Sequence, residues 1–68
     1  MSSHEVLIDS LAHVRTALDA LREQIQRETD QSLCDMMFKA VDRLRSADER
    51  LVVALFLERT REPEATTV

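Results

Sequence analysis

Apolar residues fall into two series along the chain, each with the spacing of an α-helix. The first series steps by four and three residues and comprises Leu7, Leu11, Val14, Leu18, Leu21 and Ile25. The second follows the same spacing and comprises Leu33, Met37, Ala40, Leu44, Ala47, Leu51 and Ala54. Because a helix completes a turn in about 3.6 residues, each series forms one apolar stripe. A polar stretch, residues 28–32, separates them, so the pattern predicts two long helices that fold back on each other.

Polar residues mark where the two helices begin. Ser2 is followed three residues later by Glu5, the capping-box pattern in which a hydroxyl and a carboxylate accept hydrogen bonds from free backbone N–H groups. We therefore expect helix 1 to run from about residue 3 to residue 28. Three residues that follow it can cap helix 2, and these are Thr29, Asp30 and Ser32.

Proline predicts the end of the second helix. The proline ring disfavours helical geometry at the residue before it, and Pro63 is the single proline of the chain. Helix 2 is therefore predicted over about residues 32–62. Residues 1–62 are expected to form one helical hairpin, and residues 63–68 a disordered tail with nothing to pack against.

A chain of 68 residues in two helices has too little interior to bury both apolar stripes. The single cysteine excludes an intrachain disulfide, and no group of cysteines and histidines has the spacing of a zinc site. Self-association is then the simplest way to bury the remaining apolar surface. The predicted fold class is all-α, an antiparallel two-helix hairpin that pairs with a second copy as a homodimeric four-helix bundle.

Charge and composition exclude several classes of function. With 13 acidic and 9 basic residues the net charge is −4, which disfavours broad binding to nucleic acid. No apolar run approaches the ~20 residues of a membrane span, and the N-terminus lacks the features of a signal peptide. We therefore expect a cytoplasmic protein with no membrane insertion. The absence of glycine and of an evident pocket predicts that the protein is not an enzyme and takes no metal or cofactor.

Three side chains are candidates for chemistry, and each has a more ordinary explanation. His4 and His13 lack the second histidine of a helical metal site, and Asp9, four residues before His13, is typical of a solvated pair. Cys34 lies near the predicted start of helix 2, where a thiol can be activated, but it has no evident histidine partner and is expected to be a small buried residue. Its function is left open. Opposite charges four residues apart predict two pairs along helix 1, Arg15 with Asp19 and Glu23 with Arg27.

Apolar residues exceed the two stripes at two places. Residues 36–38 are three large apolar side chains in succession, and a narrow seam has room for only one of them. Residues 51–57 are apolar on every side of the helix. A helix that is apolar all round is expected to be buried all round, and methionine is favoured on adaptable binding surfaces. The predicted partner-binding residues are Met36, Met37, Phe38, Lys39 and Arg43. The predicted dimer-interface residues are Leu7, Leu11, Leu51, Val52, Leu55 and Phe56.

Three segments resemble a family of small helical-hairpin proteins. They are LIDSL at residues 7–11, AVDRLRSA at residues 40–47 and ALFLER at residues 54–59. The family is that of the anti-quorum-sensing, pilus-inhibiting proteins of Mu-like temperate Pseudomonas phages, and the resemblance runs through most of both helices. A member of that family carries a tyrosine at the position of Met37 and a tryptophan at the position of Arg43, so the binding face differs here.

The resemblance implies a dimeric hairpin that binds a host bacterial protein and disables it. The implied targets are a LasR-type quorum-sensing activator and components of type IV pilus assembly, such as the extension ATPase or a PilZ-type regulator. Two alternatives of other classes stay open. One is a Rop-like helical-bundle regulator that binds RNA or DNA through Lys39, Arg43 and Arg45. The other is a small secretion or assembly chaperone with an obligate partner.

Overall fold

The structure, a computed structural model, describes the backbone of residues 2–67 and the side chains of residues 2–61. In that part of the chain it consists of two α-helices and no strand. Helix α1 spans Ser3–Arg27 and helix α2 spans Gln31–Thr67. The helices pack against each other as a hairpin, which confirms the all-α hairpin of the predicted fold class, whereas the homodimer stays a prediction. Neither helix, over the described residues, has a stretch long and apolar enough to cross a membrane.

Side-chain caps start both helices. Ser2 precedes α1, and its hydroxyl accepts a hydrogen bond from the Glu5 N–H at 3.2 Å. Asp30 precedes α2, and its Oδ1 accepts from the Leu33 N–H at 3.1 Å. Each cap satisfies a backbone donor that has no partner within the helix, a contribution of about 1 kcal/mol. Of the three candidate caps of α2, the structure therefore uses Asp30.

The end of α2 lies beyond its predicted position. The helix bounds reach Thr67 and include Pro63, whereas the sequence predicts an end at about residue 62. The side chains of residues 62–68 lie outside the described part of the chain. The disordered tail over residues 63–68 therefore stays a prediction.

Buried positions repeat every seven residues in both helices and form the seam between them. In α1 the seam residues are those of the predicted stripe, namely Leu7, Leu11, Val14, Leu18, Leu21 and Ile25. In α2 they are Cys34, Met37, Val41, Leu44, Asp48, Leu51, Leu55 and Glu58. A repeat of 3.5 residues keeps one stripe of each helix facing the other along the whole hairpin. The most buried side chains are Leu18, Met37 and Val41, at 6%, 9% and 8% exposure.

The apolar stripe of α2 differs from its prediction by a small rotation of the helix. Leu33 is 47% exposed, and Cys34 takes the seam position at the start of the helix. Half-buried alanines of the predicted stripe flank the seam, at Ala40, Ala47 and Ala54. The residues that follow them lie in it, at Val41, Asp48 and Leu55. Valine and leucine remove more apolar area from water than alanine does, so the rotation stabilises the hairpin.

Two side-chain pairs show the antiparallel register of the helices. The Arg15 Nε donates to the Asp48 Oδ2 at 2.8 Å near the middle of the hairpin. His4 Nδ1 lies 3.0 Å from the Glu58 Oε1 near the open end, where the first residues of α1 meet the later part of α2. The earlier of these two α1 residues is thus paired with the later of the two α2 residues, as antiparallel helices require.

The hairpin is a single layer of helices that measures 58 × 17 × 13 Å. One broad side is here called the ion-pair face, where one cleft across the seam is lined by residues that include Arg15, Asp19, Arg22, Arg45 and Glu49. On the opposite side, Leu57 lines a second cleft with Ser3, Leu7 and Ala54. Steps of seven residues back from Leu57 define the arginine face, which carries Met36, Arg43, Arg50 and Leu57. A single layer leaves both broad faces open.

Candidate functional site

Large apolar side chains are exposed at the turn end of the hairpin. Met36 is 60% exposed and Phe38 is 55% exposed, whereas Met37 between them lies in the seam. The two remaining residues of the predicted partner-binding set, Lys39 and Arg43, are exposed. Four of the five residues are thus at the surface. Met37 contributes to the packing of the hairpin instead, because the narrow seam takes only one of three consecutive side chains.

A second apolar surface surrounds the open end. Six large apolar side chains there are between 44% and 64% exposed, and these are Val6, Ile8, Val52, Val53, Phe56 and Leu57. Three apolar residues of α2, Val52, Leu55 and Phe56, line one shallow cleft. Both ends of the hairpin therefore present apolar surface, and the open end presents more of it.

The six residues predicted for the dimer interface divide between this surface and the seam. Val52 and Phe56 are exposed, and Leu55 lines the same cleft. Three others are half-buried within the hairpin, and these are Leu7, Leu11 and Leu51. The structure thus brings Val52, Leu55 and Phe56 together as one surface that a second copy can reach. Their role in a dimer stays a prediction.

Arg15 and Asp48 form an ion pair across the seam. The Arg15 Nε donates to the Asp48 Oδ2 at 2.8 Å, and its Nη2 donates to Oδ1 at 3.4 Å. The hydrogen bond from Arg15 and its positive charge hold the pKa of Asp48 below the ordinary value, although burial acts in the opposite direction. The Asp48 carboxylate raises the pKa of Arg15 in turn. Without Arg15, a carboxylate at this seam position would lack a charged partner.

This ion pair replaces one that the sequence predicts. Arg15 was expected to pair with Asp19 in the next turn of α1, but the structure pairs it with Asp48 of α2. The prediction used the rule that opposite charges four residues apart pair on the same helix. That rule does not consider residues of the other helix. The sequence did carry a signal, because Asp48 follows Leu44 by the four residues that separate successive seam positions.

Two pairs of oppositely charged or titratable side chains within α1 lie at the surface. Glu23 and Arg27 form the predicted pair, with the Arg27 Nη2 donating at 2.7 Å. His13 Nδ1 lies 2.7 Å from the Asp9 carbonyl oxygen and 3.9 Å from its carboxylate. Exposed pairs of this kind contribute little to stability. No group of three or more histidines, cysteines and acidic residues in the described part is arranged to hold a metal ion.

Cys34 is in an environment that suppresses thiol reactivity. Its half-buried thiol donates to the Glu28 carbonyl at 3.7 Å. Burial raises the pKa of the Cys34 thiol, and the carboxylates of Glu28, Asp35 and Asp30 raise it further. The thiolate is the nucleophilic form of cysteine, so this arrangement is the opposite of an activated site.

Comparison with known proteins identifies no relative of this chain. No family model, no curated protein and no solved structure matches it. The surfaces of the hairpin are therefore the basis for assigning a function.

Proposed function

We propose that this chain is a non-enzymatic, phage-encoded inhibitor that binds a host regulator in the bacterial cytoplasm and acts as a homodimer. Its target is a LasR-type quorum-sensing activator or a component of type IV pilus assembly, such as the extension ATPase or a PilZ-type protein. The resemblance of the three helical segments supports these target classes. The unpartnered apolar surface supports binding to another protein as the means of inhibition.

The observation that carries the proposal is the amount of apolar side chain left in water. Nine large hydrophobic residues of the described chain are at least 44% exposed, whereas three are buried. Scattered exposed hydrophobic residues are normal on a soluble protein, but contiguous apolar patches mark interaction sites. All nine lie at one of the two ends, three of them within one turn of Met36 and six at the open end around Phe56.

The two ends suit different partners. The open end has apolar residues on both helices and on several sides of α2, which suits the extensive interface of a stable homodimer. The turn end is smaller and combines Met36 and Phe38 with the cation of Lys39. Methionine repacks against different shapes, so the turn end is the surface that we assign to the host target.

Binding to purified candidate targets tests the proposal. The wild-type chain and the Met36→Glu/Phe38→Glu variant would be measured by biolayer interferometry against the three target classes. Burial of one large apolar side chain contributes about 1.5–3 kcal/mol, and ~1.4 kcal/mol is tenfold in affinity. We therefore expect the variant to bind at least about tenfold more weakly.

A matched control adds the same charge elsewhere. Thr16→Glu/Ser46→Glu places two carboxylates at exposed positions near the middle of the hairpin, and this variant should bind as the wild type does. Failure of every candidate target to bind the dimeric wild-type chain would overturn the proposal.

A Rop-like role in nucleic-acid binding is the second candidate, since Lys39, Arg43 and Arg45 are all exposed. The hairpin does not gather them on one surface. Arg43 lies on the arginine face, whereas Arg45 lines the cleft of the ion-pair face with Asp48 and Glu49. This candidate predicts RNA or DNA retardation that falls steeply with salt. Absence of retardation at low salt would remove it.

An assembly chaperone is the third candidate, and its test is stability without a partner. Such a protein is expected to be unstable alone and to form a defined 1:1 complex. A thermally stable homodimer, measured by light scattering and by a melting curve, would argue against it.

A further inference from the structure

The columns of residues that form the arginine face carry cations, apolar residues and neutral polar residues, and the carboxylate that borders them is that of the seam residue Glu58, which lines the same cleft as Leu57. On the arginine face each helix contributes two columns of residues spaced by seven. The inner column lies next to the seam, and the outer column lies farther from it. The outer columns hold Val6, His13, Ala20 and Arg27 of α1, and Met36, Arg43, Arg50 and Leu57 of α2. The inner columns hold Ser10, Ala17 and Gln24 of α1, and Ala40, Ala47 and Ala54 of α2. Within residues 2–61, no Asp or Glu occupies these columns, although the chain has a net charge of −4.

Two arginines of this face have no carboxylate among their helical neighbours. The residues three and four positions from Arg43 are Lys39, Ala40, Ser46 and Ala47. Those at the same distances from Arg50 are Ser46, Ala47, Val53 and Ala54. No ion pair within residues 2–61 includes either arginine, whereas Arg15 and Arg27 are bonded to carboxylates at 2.8 Å and 2.7 Å. The arginine face therefore presents two charges that are not neutralised by the hairpin.

The shape of the face suits a third helix. Its middle is formed by small side chains at Ala17, Ala40 and Ala47, which are half-buried and leave little height above the seam. The distance between packed helices depends on the side chains at their contact, and small ones allow the closest approach. Large apolar side chains stand at both ends, where Met36 is 60% exposed and Leu57 is 59% exposed. A helix laid along this face would contact apolar residues at its ends and along its length.

Electrostatics disfavours a second copy of the same face as the occupant. A two-fold symmetric dimer places the same patch of both copies together, so Arg43 and Arg50 would face a patch that carries the same cations and no acidic residue in its columns. A partner with carboxylates on the corresponding edge is instead complementary. Arginine binds carboxylates through charge-assisted, often bidentate hydrogen bonds.

We infer that the arginine face binds an acidic amphipathic α-helix of a partner protein. The apolar stripe of that helix lies over the alanines between Met36 and Leu57. Two carboxylates on its edge, about 10.5 Å apart along the axis at 1.5 Å per residue, pair with Arg43 and Arg50. This inference rests on the proposed function in one respect, that the partner is a protein, and it adds the chemistry of the segment that is recognised.

A synthetic peptide tests the inference directly. The probe is a fluorescein-labelled helical peptide of about 21 residues, six turns, with alanine and leucine in an apolar stripe and glutamates seven residues apart along one edge. Fluorescence anisotropy would measure its binding to the full chain. We expect binding that weakens with salt and falls at least about tenfold, ~1.4 kcal/mol, in the Arg43→Glu/Arg50→Glu variant.

Two controls separate recognition from loss of fold. Arg22→Glu/Arg45→Glu makes the same change of charge on the ion-pair face and should leave binding unchanged. A peptide with lysines in place of the glutamates should bind the Arg43→Glu/Arg50→Glu variant better than it binds the wild type. This rescue requires a folded face, and circular dichroism of each variant verifies its helix content.

Three results would overturn the inference. They are absence of binding by the glutamate peptide, equal binding of the glutamate and lysine peptides to the wild type, and equal loss in the two double variants. Retardation of an RNA or DNA duplex that depends on Arg43 and Arg50, with no peptide binding, would assign the face to phosphate instead.

Failure of this inference is distinguishable from failure of the proposed function. If a host regulator binds the wild type and the Arg43→Glu/Arg50→Glu variant equally and the peptide does not bind, the arginine face is not the recognition surface. If the peptide binds and none of the candidate regulators does, the assigned targets are wrong and the chemistry of the face stands.

Discussion

Asp48 is one of two carboxylates at the seam positions of α2, the other being Glu58 near the open end, whereas the remaining seam positions carry apolar side chains or Cys34. Its carboxylate lies between the two helices with a side-chain exposure of 22%, and it is compatible with the fold because Arg15 reaches it from the opposite helix. A charge at one seam position also favours one alignment, since shifting the helices would separate the pair. Single polar residues fix the register of coiled coils in this way. Asp48 therefore specifies how the helices align.

The pair predicts how stability depends on pH. The pKa of Asp48 is lower in the folded chain than its ordinary value of 3.8, so the folded state favours the charged form. The stability that follows is present above the ordinary pKa and is lost as the pH falls through the folded one. Between about pH 5 and pH 2, the melting temperature of the wild type should therefore fall more than that of Asp48→Asn.

Asp42→Asn is the control for this prediction. The substitution makes the same change of charge, but at an exposed position outside the seam. Its melting temperature should follow the wild type through the same range of pH. Parallel curves for the wild type and Asp48→Asn would show that the ion pair does not contribute.

Within the helices, Leu18 agrees with the predicted apolar stripe, whereas Leu33 departs from it. The sequence places both in apolar stripes. In the structure Leu18 is 6% exposed and Leu33 is 47% exposed, since Cys34 takes the seam position. The start of α2 therefore depends on the Asp30 cap and on Met37 rather than on Leu33.

Matched truncations measure this difference. Removal of a buried leucine side chain to Cβ costs about 2–5 kcal/mol, so Leu18→Ala should lose that much free energy of unfolding in a urea titration. Leu33→Ala is expected to lose less than about 1 kcal/mol. Leu18→Asp would leave an unpaired charge in the seam and should abolish folding. Equal losses for the two alanine variants, at the same chain concentration, would contradict the position of the seam.

The whole molecule is a layer only 13 Å thick, and this explains why its surfaces matter more than its interior. Two helices bury each apolar stripe from one side, and among the side chains of residues 2–61 only Leu18, Met37 and Val41 fall below a tenth of their accessible area. A second layer would cover the apolar residues that remain exposed. The proposed self-association through the open end would supply one such layer, and a partner helix on the arginine face would supply another.

Self-association through the open end is tested by Phe56→Asp. Phe56 is 64% exposed in the single chain, so the substitution should leave the hairpin folded and place a charge in the dimer interface. We expect light scattering to change from dimer to monomer, and the melting temperature to lose its dependence on concentration. Met36→Asp at the other end is the control and should remain dimeric. A dimer that persists in Phe56→Asp would place the self-interface elsewhere.

The chain's sequence alone was sufficient for the hairpin and for the approximate start of each helix, although it left three candidate caps open for α2. Local rules determine these features: the spacing of Leu7 to Ile25, the hydroxyl of Ser2 and the carboxylate of Asp30 act within a few residues of where they stand. The excess of apolar residues at 36–38 and 51–57 was also visible in the sequence, because these segments hold more apolar residues than one helical stripe requires.

The seam residues of α2, the partner of Arg15 and the arginine face depend on how one helix is rotated and aligned against the other. These features follow only from the tertiary structure. Ala40 and Val41 both fit a helical stripe, and only packing against α1 places Val41 in the seam and Ala40 beside it. Arg15 can pair with Asp19 of its own helix or with Asp48 across the seam. The antiparallel register places Asp48 beside it. The same rotation places Arg43 and Arg50 on one face, where neither has a carboxylate three or four residues away. Sequence spacing specifies positions within a helix, whereas the angle and register between two helices follow from the side chains that meet across them.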